Sequence, residues 1–299
     1  MLIHLAPGDP LTATLDNPHV SESVRAQWRA NYGLDLPLGE QYVRYVSLVA
    51  RGQFGYSYSM REPVSDVLAR VLPNTLLLMG VALVLSFALG IAVGALQAAR
   101  PGGMLDRATG AISLVLYSVP DFWLALLAML SLAYWLPILP VSGMVDALMH
   151  PYMTPLERVV DRARHLVLPA LTLTLVLTAG IARFQRAALA DVLRADFVRT
   201  ARAKGVRERD VVGRHALRNA LLPVITLVGL AFPSLLGGAL FVERVFAWPG
   251  MGWTAVNAVS TRDYPLVVAS VIVGSVMVVV GSALADALYA LADPRLRTR

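Results

Sequence analysis

The residues able to do chemistry in this chain of 299 residues are few, and their densest run is basic. From Phe197 the sequence reads Phe-Val-Arg-Thr-Ala-Arg-Ala-Lys-Gly-Val-Arg-Glu-Arg-Asp210, and Arg214-His-Ala-Leu-Arg-Asn-Ala-Leu-Leu-Pro223 follows. Good helix formers are interrupted at Gly205, a position suited to ending a helix. A second short helical stretch is expected over Glu208–Arg214. Such a rigid, cation-rich element between two helices can sit in a groove on a partner and pass a rigid-body movement to both. The same arginines could instead do no more than fix membrane topology or touch anionic headgroups.

The pattern for covalent or metal chemistry is missing. A phosphate-cradling loop needs Gly-x4-Gly-Lys-Ser/Thr, and the only lysine, Lys204, is followed by Gly205 and Val206. His4, His19, His150, His165 and His215 are scattered without metal-ligand spacing, and there is no cysteine. Asp121, Asp286 and Asp293 belong to different spans or opposite ends of them, which is no arrangement for a two-carboxylate acid–base pair. The expected work is mechanical or permissive, and no enzyme activity is assigned to the chain.

The elements that must position these residues are set by composition. Apolar residues make up 57% and charged residues 15% of the chain, with a mean hydropathy of +0.61. A soluble chain would carry roughly a quarter charged residues, so an all-α polytopic membrane protein is expected. The net charge of +6 is almost wholly arginine. In so apolar a chain it points to loops on the inner side of a membrane, not to nucleic acid. Five stretches are long enough to cross a bilayer, which needs about 20 apolar residues. They run from Asn74 to about Ala98, about Ala108 to Trp135, about Leu166 to Ala182 and on toward Leu189, about Asn219 to Val242, and about Tyr264 to Leu291. Arginines crowd Arg183–Arg218, the Ala99–Arg107 turn and the tail at Arg295, Arg297 and Arg299, placing those on the cytoplasmic side. Pro137–His165 and Phe246–Asp263 are then outside.

Counting back from a cytoplasmic C-terminus puts the start outside. Met1–Leu5 is expected to be the outer stub of a truncated first helix, since a signal peptide would need a basic start and a longer apolar core. Residues 1–73 are read as that stub plus an external segment, and 74–299 as the membrane domain with a cytoplasmic loop at about 190–218. In the external segment, Tyr42, Val43, Val46 and Val49, then Val64, Val67, Leu68, Val71 and Leu72 after Pro63, recur at helical spacing. They predict short amphipathic helices lying on the outer surface.

The basic segment resembles the EAA loop of binding-protein-dependent ABC permeases: Glu-Ala-Ala, three residues, Gly, then Leu-Pro. Gly205 fills the glycine, Ala201 the second alanine and Leu222-Pro223 the Leu-Pro, while Arg199 and Thr200 replace Glu-Ala. Arg-Thr-Ala-Arg-Ala-Lys-Gly is the usual form in the dipeptide/oligopeptide/nickel branch. Leu5-Ala-Pro-Gly-Asp-Pro-Leu11, Tyr32-Gly-Leu-Asp-Leu-Pro-Leu38, Ser118-Val-Pro-Asp-Phe-Trp-Leu124, Val245-Phe-Ala-Trp-Pro-Gly-Met-Gly252, Arg262-Asp-Tyr-Pro265 and Asp293-Pro-Arg295 follow the same branch in order. The likeness spans essentially the whole chain and fits the B-type subunit.

That resemblance implies a type I ABC importer permease fold: five complete transmembrane helices here plus the stub of the first. It implies an ATPase-coupling helix carrying Arg199, Thr200, Ala201, Arg202, Lys204, Gly205, Arg207 and Asp210, with Arg199, Arg202 and Lys204 meeting acidic or carbonyl groups of the partner. The implied partners are a C-type permease subunit, two ATP-binding cassette ATPases, an extracytoplasmic substrate-binding protein and the lipid bilayer of a bacterial or archaeal inner membrane. No cofactor is expected on this chain, with ATP and Mg on the ATPases. The implied cargo is di- or oligopeptide, with nickel chelates and glutathione as alternatives and an ion-coupled carrier as a rival class. Asp121, Phe122 and Trp123 are substrate-path candidates. The Asp121 carboxylate could meet a peptide amino group, or satisfy backbone groups freed by a Pro120 kink. Pro233 with Gly237-Gly238 suggests a bend or close helix contact in the fourth span. Trp248, Gly250 and Met251 lie in an outer loop suited to contact a docking protein, and a plain re-entrant turn explains it almost as well.

Overall fold

The computed structural model describes residues 37–57 and 59–292. The stub expected at residues 1–5, the motif at residues 5–11, most of that at residues 32–38, and Asp293-Pro-Arg295 lie outside the described residues. Helix α1 (Leu38–Ala50) is followed by a two-stranded antiparallel hairpin, β1 (Tyr56–Ser57) and β2 (Glu62–Pro63), pairing Tyr56 with Pro63 and Ser57 with Glu62. The remainder is helical: α2 (Val64–Ala99), α3 (Met104–Ser118), α4 (Asp121–Met129, extended by a π-helical turn to Trp135) and α5 (Pro155–Val192) come first. Helices α6 (Asp196–Ala203), α7 (Glu208–Ala220), α8 (Leu222–Val245), α9 (Met251–Ser260) and α10 (Tyr264–Ala292) complete it.

Helix α2 starts directly after Pro63 and runs 36 residues through Pro73. At 1.5 Å per residue that is about 54 Å, well beyond the ~30 Å of a hydrocarbon core. The amphipathic stretch from Val64 is thus the first part of the same helix as the span from Asn74. The expected division at 73/74 falls inside α2. Helix α5 begins at Pro155, earlier than its apolar run, because Thr154 and Glu157 form a capping box: Glu157 Oε2 accepts the Thr154 N–H at 2.8 Å, and Thr154 Oγ1 accepts the Glu157 N–H at 3.4 Å.

The second expected span is not straight. Pro120 lacks an N–H and drives Val119 out of the helical region (ψ 130°), so α3 stops there and α4 leaves at 105°. A gentler 46° bend separates α7 from α8. Among the described residues, three helices (α2, α5 and most of α10) are long and apolar enough to cross a membrane unaided, and up to five spans result when each bent pair counts as one.

Helices α2 and α5 form the spine. A Cβ at Gly90 would lie 2.6 Å from Ile181 Cγ2, and one at Gly94 would lie 2.5 Å from the Ala182 carbonyl oxygen. Two glycines four apart let these backbones touch, the packing that drives helix association where burial from water gives no force. Around this spine, Leu78, Met79 and Ala82 pack with Ala125, Leu168, Leu173, Val242, Phe246 and Trp248. At the end away from the basic element, Val64, Val67, Leu68 and Val71 pack on Met251, Ala258, Leu266 and Ala269. Rows of apolar side chains remain outward: Val84, Leu85 and Leu89 on α2, Ile112, Leu114 and Val115 on α3, Val271, Val276 and Val279 on α10. That is the surface hydrocarbon or neighbouring membrane helices cover, and with the spans it makes this a multi-pass all-α membrane protein.

Candidate functional site

The basic element is a built structure. Helix α6 is two turns long and amphipathic: Val198 and Ala201 point inward, while Arg199, Thr200, Arg202 and Lys204 point out. It stops at Gly205 (φ 76°), whose N–H donates to the Arg202 carbonyl at 3.0 Å, while the Val206 N–H donates to that of Ala201 at 3.2 Å. These are the two bonds of a Schellman motif, and the accompanying apolar contact is present because Val206 packs on the cluster holding Ala201. The inner faces of α6 and α7 (Val198, Ala201, Val211, Ala216, Ala220) share one apolar cluster with Ala98 of α2 and Leu189 of α5. A push on α6 is therefore delivered to the ends of both long helices.

The cations are disposed unequally. Arg202 Nε and a terminal nitrogen meet both carboxylate oxygens of Glu208 at 3.1 and 2.6 Å, an intrachain fork that fixes α7 against α6. Arg199 is 73% exposed with Asp196 at 3.6 Å, a surface pair of small energetic weight. Lys204, Gly205, Arg207 and Asp210 are exposed. Arg199, Lys204 and Arg207 are thus presented outward, while Arg202 is committed within the chain.

Beneath the element, Asp106 at the start of α3 accepts two bonds from Arg186 of α5, at 2.9 and 3.0 Å, and the Gly102 N–H at 2.9 Å. One turn earlier, the Arg183 guanidinium lies 5.4 Å from the centre of the Tyr117 ring. These contacts hold both ends of α3 to one stretch of α5.

Asp121, Phe122 and Trp123 form the first turn of α4, beside the sharp break. Asp121 Oδ1 accepts the Phe122 N–H at 2.8 Å, and the Pro120 carbonyl accepts the N–H groups of Trp123 and Leu124, both at 3.1 Å. The carboxylate therefore sits at a helix start, not within a continuous helix, and makes no ion pair among the described residues. Phe122 and Trp123 are exposed, and the Phe122 ring stands 6.0 Å from that of Phe241 on α8. α8 passes unbroken through Pro233, Gly237 and Gly238, whose packing lies outside the described residues.

The loop Trp248–Gly252 is inside the fold. Trp248 and Met251 are buried, and Trp248 Nε1 donates to the Asn74 carbonyl at 3.0 Å while Asn74 Nδ2 returns a bond to the Pro249 carbonyl at 2.8 Å. These residues shape the loop from within; their side chains do not present a surface.

Gly250 and Gly252 are required by a residue the sequence reading passed over, Glu243. Its carboxylate is 0% exposed, accepts Thr75 Oγ1 at 2.7 Å and the Trp253 N–H at 2.9 Å, and would lie 2.2 Å from a Cβ at Gly250. Thr75 Oγ1 in turn accepts the Met251 N–H at 2.7 Å. The first backbone donors of α9, which its own helix cannot satisfy, are thus capped by side chains from α2 and α8. An acid followed by a Trp-Pro-Gly-Met-Gly turn was the available sign.

In the first turns of α5, Asp161 Oδ2 meets His150 Nδ1 at 2.7 Å and the Asp146 N–H at 3.0 Å, both from the preceding loop, and Oδ1 meets His165 Nδ1 at 3.1 Å. Asp146 is itself held below the usual carboxylate range by the Met149 and Leu148 N–H groups. These bonds tie the loop to α5. Among the described residues no group of three or more His, Cys, Asp or Glu is arranged to hold a metal ion.

The sequence pattern of the family described as binding-protein-dependent transport system inner membrane component matches residues 90–298. Similarity to individual proteins extends over nearly the whole chain. It is 40% identical over 297 residues to the oligopeptide transport system permease protein AppB of Bacillus subtilis, covering 99% of this chain and 92% of that one. It is 39% identical over 308 residues to the di/tripeptide transport system permease protein DppB of Pseudomonas aeruginosa, with the same coverage. The glutathione transport system permease protein GsiC of Salmonella paratyphi A is 38% identical over 297 residues, again at 99% and 92%. The chain belongs to the binding-protein-dependent transport system inner membrane components, the non-catalytic membrane subunits of ABC importers.

Proposed function

We propose that this chain forms half of the translocation pathway of an ATP-driven importer of di- and oligopeptides. A C-type permease subunit forms the other half, two ATP-binding cassette ATPases hold ATP and Mg, and an extracytoplasmic binding protein delivers the peptide. The basic end and C-terminus face the cytoplasm, following the arginine distribution. The observation that carries the reading is the α6–Gly205 element: a capped, rigid helix with outward cations, standing on the ends of α2 and α5. Arg199, Lys204 and Arg207 meet the ATPase cleft, while Arg202, through Glu208, keeps α6 and α7 moving as one body. Asp121, with Phe122 and Phe241, offers a carboxylate beside exposed rings, chemistry suited to a peptide amino terminus and apolar side chain. The loop held by Trp248, Gly250 and Met251 supports the outer docking face.

The test is reconstitution of the four-subunit assembly in lipid. Peptide-loaded binding protein should stimulate ATP hydrolysis and peptide uptake, and Lys204→Glu with Arg207→Glu should uncouple the two. Proton- or sodium-driven uptake by this chain alone would overturn the reading. Glutathione is the second cargo, favoured by the 38% identity to a glutathione permease. Ligand profiling of the binding protein separates the two.

A further inference from the structure

Two exposed tips at the end opposite the basic element are joined by one buried carboxylate. Asp263, 1% exposed, stands just before α10. Its Oδ2 accepts Ser57 Oγ at 2.6 Å, the Ser59 N–H at 3.0 Å and Ser59 Oγ at 2.8 Å, all from the β1–β2 hairpin. Its own N–H donates to the Ala258 carbonyl at 2.8 Å, closing the turn after α9. The hairpin and the α9–α10 turn, far apart in sequence, are therefore one body.

At the rim of that body stand Arg61 and Arg262. Both hold left-handed backbone, φ 57° and 55°. A non-glycine residue resists this conformation, and such outliers gather at functional sites. Both are exposed, and among the described residues neither side chain has a hydrogen bond or ion pair. The neighbouring acids are already engaged: Glu62 is bonded to Arg70, and Asp263 is buried on the two serines. The rim thus carries two uncompensated cations on one tied body, flanked in sequence by Ser59, Ser260 and Thr261.

We propose that the Arg61/Arg262 rim is the contact by which this chain receives the extracytoplasmic binding protein, through an acidic patch on that protein. The inference rests on the binding-protein-dependent reading above. It moves the docking contact from the buried Trp248 and Met251 to the exposed tips they help support. A protein partner fits better than lipid headgroups because a headgroup asks only for a mobile cation, whereas these two stand on left-handed backbone in loops tied to each other through Asp263. The 36 residues of α2 also exceed what the bilayer requires, which lets the hairpin at its start stand clear of the hydrocarbon.

The experiment uses the complete complex in neutral phosphatidylcholine nanodiscs, titrated with its binding protein at two ionic strengths. Stimulated ATPase gives the apparent affinity, and unstimulated ATPase with the thermal midpoint reports integrity. Arg61→Glu with Arg262→Glu should weaken the apparent affinity roughly tenfold and flatten its salt dependence, leaving unstimulated turnover unchanged. The single variants Arg61→Gln and Arg262→Gln should each give part of that loss, and they replace the double variant if it fails to assemble. Wild-type affinity and salt dependence in these variants would overturn the proposal while leaving the importer reading intact. A loss that appears only when anionic lipid is present would overturn it in favour of headgroups. A wild-type complex that no binding protein stimulates overturns the reading beneath it.

Discussion

Substituting Gly205 separates backbone strain from the presence of a partner. Its φ of 76° lies in the left-handed region, yet a Cβ added there meets nothing within 4 Å. Within the chain, the cost is therefore conformational only. Ala, Leu and Trp should each cost about 1–2 kcal/mol, and Asn less, because its short polar side chain tolerates this region. That cost should not grow with size. A groove closed around the element adds a second cost, since each added group must displace packed atoms at about 1–3 kcal/mol. Binding-protein-stimulated ATPase and uptake should then fall in the order Gly, Ala, Leu, Trp, with Asn below Ala despite its smaller backbone cost. The amount of protein in the membrane and the thermal midpoint of the purified chain should stay level across Ala, Leu and Trp. Equal transport by the Ala and Trp variants would refute docking at this position. A midpoint falling with side-chain size would show that the open space around Gly205 had been misjudged.

Other outcomes follow from the same contacts. Glu243→Leu leaves the Thr75 hydroxyl and the Trp253 N–H unpaired in a buried site; at about 1–3 kcal/mol per donor it should lower the thermal midpoint, with Glu243→Gln losing less because one acceptor oxygen remains. Gly94→Ala forces α2 from α5, because its Cβ would lie 2.5 Å from the Ala182 carbonyl oxygen, whereas a Cβ at Gly80 meets nothing within 4 Å; Gly94→Ala should lower the midpoint and Gly80→Ala leave it close to wild type. Arg186→Ala should destabilise the α3–α5 junction more than Asp106→Ala with Arg186→Ala together, because the single change strands a buried carboxylate. Asp146 has its folded pKa lowered by the Met149 and Leu148 N–H groups. Its stabilising effect is fully present above its unfolded value of about 3.9 and is lost as pH falls through the lower folded value. Hydrogen exchange at those two amides should rise in that acid window, and Asp146→Ala should remove the pH dependence.

Much of the fold was legible because a bilayer imposes few rules. Apolar runs of sufficient length must be helices that satisfy their own backbone, so the all-α class and the approximate spans could be read directly. The end of α6 was equally local: Gly205 takes a conformation other residues resist, and the helix closes there by its own two hydrogen bonds. Pro120 marked a break in the second span, but its 105° size depends on where α4 packs against α5 and α8.

What stayed hidden was decided by partners distant in sequence. Glu243 looks like an acid at a membrane boundary until Thr75, on another helix, and the backbone of Trp253 take up its two oxygens. Trp248 in a Trp-Pro-Gly turn looks like a surface residue until Asn74 and the α2 core close over it. Asp263 acquires its hairpin only when Ser57 and Ser59 arrive from the start of the described chain. The helices and the break at Gly205 could be read from the residues alone, because each follows from local backbone or solvent preference. Tertiary structure alone decided which acids lie buried and which cations stay unpaired, because a buried polar group is tolerable only where distant chain supplies its hydrogen bonds.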